Sequence, residues 1–211
     1  MTTIGIFGTG GLAREAGDIV AALGWTPLYI ARDVDEQQTW IGSDFVVLES
    51  EIERYRNLGF VIGIGEPKVR QRLARHFTGA VHFTNLIHPD TSFGKGARDA
   101  VDARSGVIIC PGVRLTNAIA VGDFAIINPN VTVGHDTIVQ EFVTICPGAN
   151  ISGNVCIETR AWIGAGAVIN QGSAARKLTI GADAVIGSGA VVVRDCDAGG
   201  TYAGVPARKL R

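Results

Sequence analysis

The chain is short of charge, of aromatic rings, of cysteine and of histidine. Charged residues make up 18% of its 211 positions and aromatics 7%, whereas hydrophobic residues make up 46%. Lys plus Arg number 19 and Asp plus Glu 20, a formal net charge of −1. So balanced a composition offers neither a basic face for nucleic acid nor a polybasic patch for an anionic membrane, and neither partner is expected. No apolar run is long enough to span a bilayer. The N-terminus enters a strand-like segment with no basic stretch and cleavage site, so a cytoplasmic location is expected. The four cysteines, Cys110, Cys146, Cys156 and Cys196, form no CxxC pair and no metal-ligand spacing. They read as small apolar residues of a reducing compartment. Low charge with high apolar content argues for a sizeable core and against disorder.

What the chain does have is a period. Every sixth residue from Ile109 through Leu115, Val121, Ile127 and onward to Ile169 is Ile, Val or Leu. A companion series, Val107, Val113, Ile119 and onward to Ala167, runs two residues ahead of it, and both resume at Leu178/Ile180, Ala184/Ile186 and Ala190/Val192. A period of six cannot be an α-helix, whose apolar face recurs at three and four. It fits a short strand and a corner, repeated. Positions two apart on a strand face the same way, so both series point inward. Three such units make one eighteen-residue turn of a prism, and successive turns stack into a continuous core. Cys110, Asn128, Cys146 and Gly164 are then expected in one column. Gly122, Gly134, Gly164, Gly181 and Gly187 take the corner-side position, where they are expected to supply a positive φ. The competing fold, a sandwich of short strands, does not keep a strict six-residue phase.

Residues 1–85 follow another grammar. Ile4-Gly5-Ile6-Phe7 reads as a buried strand, followed by Gly8-Thr9-Gly10-Gly11 and a helix from Leu12 to Gly24. A second strand, Pro27–Ile30, ends near Asp33; Gly59–Gly65 forms another strand and glycine turn, and Pro67 opens a helix running to about His76. Val81–Phe83 reads as the last strand. This alternation predicts a parallel α/β sheet. Glycines between a strand and a helix N-terminus let a phosphate approach free N–H groups at a positive dipole end, though such a turn also serves packing. Asp33 stands where a carboxylate can accept from a ribose or base. The segment is too short for a full dinucleotide fold, which favours a mononucleotide carrier.

These features together carry a resemblance. The opening Ile6-Phe7-Gly8-Thr9-Gly10-Gly11-Leu12-Ala13-Arg14-Glu15, the Gly63-Ile64-Gly65 strand end, the Ile87-His88-Pro89 junction and the hexapeptide series resemble the bacterial hexapeptide-repeat sugar acyltransferases. These include the sialic-acid O-acetyltransferases and the bacillosamine-type nucleotide-amino-sugar N-acetyltransferases. The likeness covers essentially the whole chain and ends in Thr201–Arg208, which looks like that family's C-terminal coenzyme A segment. It implies a small Rossmann-like N-terminal domain (residues 1–85) followed by a left-handed parallel β-helix (86–211). It also implies acetyl-CoA as co-substrate, a nucleotide-sugar acceptor and a homotrimer.

Of the four histidines, His76 reads as exposed, and His82 and His88 as structural. His135 alone lies in the repeat, beside a corner where side chains can leave the prism, and Asp136 follows it. Asn128–Asp136 resembles the family's catalytic Gly-His-Asp/Glu segment. Acyl transfer from a thioester needs a base near neutrality, and a carboxylate on the other ring nitrogen fixes the tautomer. A plain surface histidine in a turn is the alternative. The resemblance assigns the Gly153 N–H to the acetyl oxyanion and Ala165, Ser188, Gly204, Pro206 and Arg208 to the coenzyme. Thr144 stands where many relatives have a second histidine; it can donate a hydrogen bond to the coenzyme but cannot be a cation. On the acceptor side the assignment is Gly8, Gly10, Gly11, Leu12, Asp33 and Gly65, with Leu12 replacing a histidine common among the amino-sugar enzymes. The step from Ile169 to Ile180 exceeds one hexad by five residues, so residues 171–177 should project and shape a site or an interface.

The expected reaction is acetyl transfer from acetyl-CoA to the amino group of a nucleotide-linked sugar. O-acetylation of a sialic-acid-type sugar is one alternative, and a non-catalytic nucleotide-sugar scaffold another. A γ-type carbonic anhydrase on the same scaffold needs several histidine ligands. One repeat histidine cannot supply them, so no metal is expected.

Overall fold

A computed structural model describes residues 2–210. The chain begins with β1 (Thr3–Phe7), α1 (Gly11–Ala22), β2 (Thr26–Ala31), α2 (Val34–Gln38) and β3 (Val46–Leu48). A 3₁₀ segment (Glu49–Tyr55), β4 (Gly59–Ile62), α3 (Pro67–Phe77) and β5 (His82–Phe83) follow. The five strands form one sheet in the order β3-β2-β1-β4-β5, parallel at every junction. The order reverses between β1 and β4, so both glycine turns, after Phe7 and after Ile62, open at the same crevice beyond the strand ends.

From Leu86 the chain winds into a prism with three parallel faces. The first face stacks Leu86–Ile87, Ile108–Ile109, Ile126–Ile127, Thr144–Ile145, Trp162–Ile163, Val185–Ile186 and Thr201–Ala203. The second runs from Ser92–Phe93 through Thr132–Val133 to Val191–Val192, and the third from Ala120–Val121 to Leu178–Ile180. Each rung pairs with the next coil, eighteen residues on in the regular coils, as Ile126 with Thr144 and Thr132 with Asn150. Both inward series are buried along the whole prism and form one core cluster. That core is stoppered by α4 (Ala97–Asp102), through Ala97 and Val101, at one end and by Tyr202 and Ala207 at the other. The amides of Cys110, Asn128, Cys146 and Gly164 all bond the next coil, as one column should.

The corner glycines work differently from expectation. The positive φ does not fall on Gly122, Gly134, Gly164, Gly181 or Gly187 but two residues later, on Phe124 (56°), Asp136 (57°), Gly166 (65°), Asp183 (58°) and Gly189 (68°). At most of the five the reason for glycine is proximity. A Cβ on Gly134 would stand 2.5 Å from the Gly153 nitrogen, and one on Gly164 2.5 Å from the Ser188 nitrogen; Gly122 and Gly181 would collide with Glu141 and Ala198 in the same way. Adjacent coils approach too closely there for any side chain.

The two domains meet on the first face. Helix α1 buries Ala13, Ala16, Ile19 and Val20 in a cluster shared with Leu86, Ile108, Cys110 and Ile126. At the neighbouring edge Phe83 meets Phe124 edge-on at 4.9 Å, and Phe124 stacks on Phe142 at 5.1 Å. Between these apolar contacts lies Arg70 of α3, with no solvent exposure. Its Nε donates to Phe124 O (2.8 Å), its Nη1 to Ile64 O and Gly65 O (2.7 and 2.8 Å), and its Nη2 to Phe142 O, Val143 O and Thr144 Oγ1 (2.7, 3.2 and 3.0 Å). Burial pushes the guanidinium down to about 9, partly opposed by Glu66, so it stays cationic at neutral pH.

Candidate active site

At the crevice of the sheet, Gly8 adopts φ 106° and is followed by Gly10, which N-caps α1 with no side-chain cap. A Cβ on Gly10 or Gly11 would meet nothing within 4 Å, so the free amides at the helix start face open space. That suits an anionic phosphate. Beside the turn lies a cavity of about 380 Å³ lined by Gly8, Ile30, Arg32, Glu36, Glu49, Ile64, Val69, Arg72, Leu73 and His76. Two cations and an imidazole face two carboxylates there. Burial raises the Glu49 carboxyl above its usual range, offset in part by His76.

Asp33 is absent from that lining. It N-caps α2, accepting from Glu36 N (2.9 Å) and from Arg32 Nε (2.7 Å), and these two bonds hold its carboxyl below the usual range. Its place in the cavity is taken by Glu36, which accepts from Thr9 Oγ1 (2.7 Å) and Arg32 N (2.9 Å) and so braces the glycine turn. Nothing in the sequence marked Glu36, because capping geometry decides which acid turns inward. Leu12 and Gly65 lie together, with Trp162 of the first face 3.7 Å from where a Gly65 Cβ would be. Thr144 is buried rather than lining a groove. Its hydroxyl donates to Gly65 O (2.7 Å) and accepts from Arg70, so within this chain it ties the two domains together. His76 is exposed at the cavity, and His88 Nδ1 accepts from Asp90 N (3.0 Å) in the turn between domains. His82 is exposed on the edge strand rather than held in the structure.

The second group sits at the corner between the second and third faces of the prism, opposite the face that carries the N-terminal domain. His135 Nδ1 meets Asp136 Oδ2 at 2.7 Å, with both side chains more than half exposed. A carboxylate there selects the tautomer with hydrogen on Nδ1 and leaves Nε2 free to accept a proton. Nε2 lies over Gly153, one coil on, where a Cβ would stand 2.5 Å from it. Glycine at 153 is what gives the imidazole room. The Gly153 amide donates to no protein acceptor among the described residues. The imidazole Nε2 and a residue whose amide has no protein acceptor among the described residues thus lie side by side.

The coenzyme candidates lie elsewhere. Ala165, Ser188 and Gly204 are exposed along the corner between the first and second faces, and Gly189 N donates to Ala165 O (2.9 Å). Pro206 and Arg208 are exposed beyond them. In one chain the second face separates this line from His135, and the whole prism separates His135 from the glycine crevice. The cysteines offer no rival nucleophile. Burial pushes the thiols of Cys110, Cys146 and Cys196 up to about 12, 11 and 11, and raises Cys156 as well. No group of side chains among the described residues could hold a metal ion. No helix among the described residues is long and apolar enough to cross a membrane.

The PglD N-terminal domain family matches residues 3–77. Over all of this chain and 97% of its own length, the GDP-perosamine N-acetyltransferase of Escherichia coli O157:H7 is 32% identical. The galactoside O-acetyltransferase of Escherichia coli K12 is 34% identical over 44% of this chain and 43% of its own length. PerB from Caulobacter crescentus, solved in complex with CoA and GDP-perosamine, superposes with a TM-score of 0.86 at 29% identity, covering all of this chain and 98% of PerB. The prism is thus the left-handed parallel β-helix of that group.

Proposed function

The chain belongs to the hexapeptide-repeat nucleotide-amino-sugar N-acetyltransferases, and from that premise we propose how its parts divide the reaction. It moves an acetyl group from acetyl-CoA to the amino group of a nucleotide-linked amino sugar. The acceptor we assign is of the GDP-perosamine kind, on which the full-length relative acts. O-acetylation is less well supported, because the O-acetyltransferase matches less than half of the chain.

The observation that carries the assignment of roles is the His135–Asp136 pair lying over the unused Gly153 amide. Nε2 of His135 takes a proton from the sugar amine as its nitrogen attacks the thioester carbonyl. Asp136, on Nδ1, steadies the imidazolium. The carbonyl oxygen becomes an oxyanion and accepts from Gly153 N–H, an interaction of the type worth roughly 10²–10³ in rate. Collapse breaks the C–S bond, and the imidazolium returns its proton to the leaving CoA thiolate. The product is the N-acetyl sugar.

The N-terminal crevice binds the nucleotide, with its phosphates on the amides of Gly10, Gly11 and Leu12 and its base in the cavity beside Glu36 and Glu49. Because His135 and that crevice lie on opposite sides of one prism, a single chain cannot present both to one sugar. We assign a homotrimer in which the His135 corner of one subunit faces the coenzyme line and crevice of its neighbour. The reading is tested by thiol release from acetyl-CoA against a panel of nucleotide sugars with the wild-type enzyme and His135→Ala. Turnover restricted to GDP-linked amino sugars and lost in the variant supports it. Undiminished turnover in the variant overturns the role of His135, and absence of acceptor-dependent thiol release overturns the acceptor.

A further inference from the structure

The segment between Ile169 and Ile180 is longer than one hexad, and its end returns to the His135 corner. We propose that Lys177 is a positioning residue that holds the His135–Asp136 pair in its working geometry. This rests on the reading of His135 as the base.

The argument begins with the ladder of backbone bonds at this corner. His135 O accepts from Asn154 N (2.7 Å), and Thr137 O accepts from Ala120 N (3.0 Å). The carbonyl between them, on Asp136, receives no amide from the neighbouring coil. Asp136 sits at φ 57°, in the left-handed region that residues with a Cβ seldom adopt. The donor it finds is Lys177 Nζ. The same ammonium donates to Asn154 Oδ1 (3.0 Å).

Asn154 in turn holds the loop. Its Nδ2 donates to Ser173 O (2.7 Å) and Arg176 O (3.3 Å), and Gly172 N donates to Gly153 O (3.1 Å). The loop's other cation, Arg176, is engaged by Asp195 Oδ2 at 2.5 Å. The strap is therefore fixed at both ends and touches both halves of the reaction machinery, Asp136 on one coil and Gly153 on the next.

The choice of acceptor matters. Lys177 bonds the Asp136 carbonyl and forms no ion pair with its carboxylate among the described residues, so the carboxylate stays committed to His135 Nδ1. The cation fixes the peptide from which the carboxylate hangs without competing for it. Loss of that anchor frees the Asp136 peptide to turn, and the carboxylate with it. A misplacement of about an ångström in reacting geometry is costly, on the order of 10²-fold in rate.

The test uses the purified full-length enzyme with Lys177→Met and Lys177→Arg, alone and with Asp136→Asn. Lys177→Met should lower kcat about 10–100-fold while leaving KM for acetyl-CoA and acceptor within about twofold. Lys177→Arg, which keeps a cationic donor, should recover part of the loss. Because both substitutions act through the same pair, the Asp136→Asn/Lys177→Met double variant should be within about twofold of the worse single variant. A Lys177→Met enzyme with wild-type kcat, or losses that multiply in the double variant, would overturn the proposal. Activity in His135→Ala would instead overturn the reading of the base, so the two failures are distinguishable.

Discussion

The two domains keep their order by opposite means. In the prism, every coil repeats the same short-range rule: two inward residues, a corner and a bond to the next coil. Ile127 is held by the same contacts as Ile109 and Ile145. In the N-terminal domain no rule repeats. Its sheet depends on unique fits, such as Gly17 making room for the Tyr29 hydroxyl and Gly63 for Ala13. A repeat is a stiff frame on which a single exception stands out, and His135 is such an exception. An aperiodic domain can shape one crevice around one ligand. In the reading proposed above the labour divides in the same way, with reacting groups on the rigid frame and recognition on the irregular domain.

That contrast can be broken most sharply at His135. Its replacement by alanine should lower kcat by about 10²–10⁴-fold, with the melting temperature and acetyl-CoA binding nearly unchanged, since the side chain is exposed and outside the core. Calorimetry beside steady-state kinetics checks both halves. Next in size is the seam. Arg70→Met leaves the carbonyls of Ile64, Phe124 and Phe142 without their side-chain donor, leaves Gly65 O with Thr144 alone, and should cost about 3 kcal/mol. Denaturant titration should show the N-terminal domain unfolding before the prism, splitting one transition into two.

A smaller effect sharpens the recognition side. Gly10→Val introduces methyls into space that holds no protein atom, at an ordinary φ of −74°. KM for the sugar nucleotide should rise about tenfold or more while KM for acetyl-CoA stays unchanged. Equal damage to both constants in a folded variant would give the glycine turn a packing role only. The smallest expected effect is at Asp33. Asp33→Asn retains a good N-cap and should leave both constants within about twofold. Glu36→Gln, in the cavity, should raise KM for the sugar nucleotide alone.

Legibility in the sequence follows the same division. The prism could be read from its period because each inward residue is reinforced by neighbours six and eighteen positions away. The glycine turn and the His135–Asp136 pair are visible as local patterns, and the structure gives them their geometry, Gly10 at the start of α1 and His135 Nδ1 on Asp136 Oδ2. What escaped reading depends on distant contacts. Nothing local marks Arg70, since its acceptors come from residues 54 to 74 positions downstream as well as from the adjacent turn. The bond from the Thr144 hydroxyl to Gly65 O could not be read either, because the two are 79 positions apart. The corner glycines had the right residue and the wrong reason: what excludes a side chain is the next coil, which a strict period predicts but a φ argument ignores.

The buried thiols carry a consequence for an enzyme that spends its working life beside an acyl thioester. Transthioesterification needs a thiolate, and the cysteines with thiols pushed up to about 11 or 12 offer almost none at neutral pH. Burial therefore makes these three thiols poor acceptors of the acetyl group the enzyme handles. An aromatic disulfide reagent added to the native enzyme should give colour chiefly from released coenzyme and only slowly from the polypeptide. Unfolding the chain should expose the four cysteines and bring the remaining signal out at once.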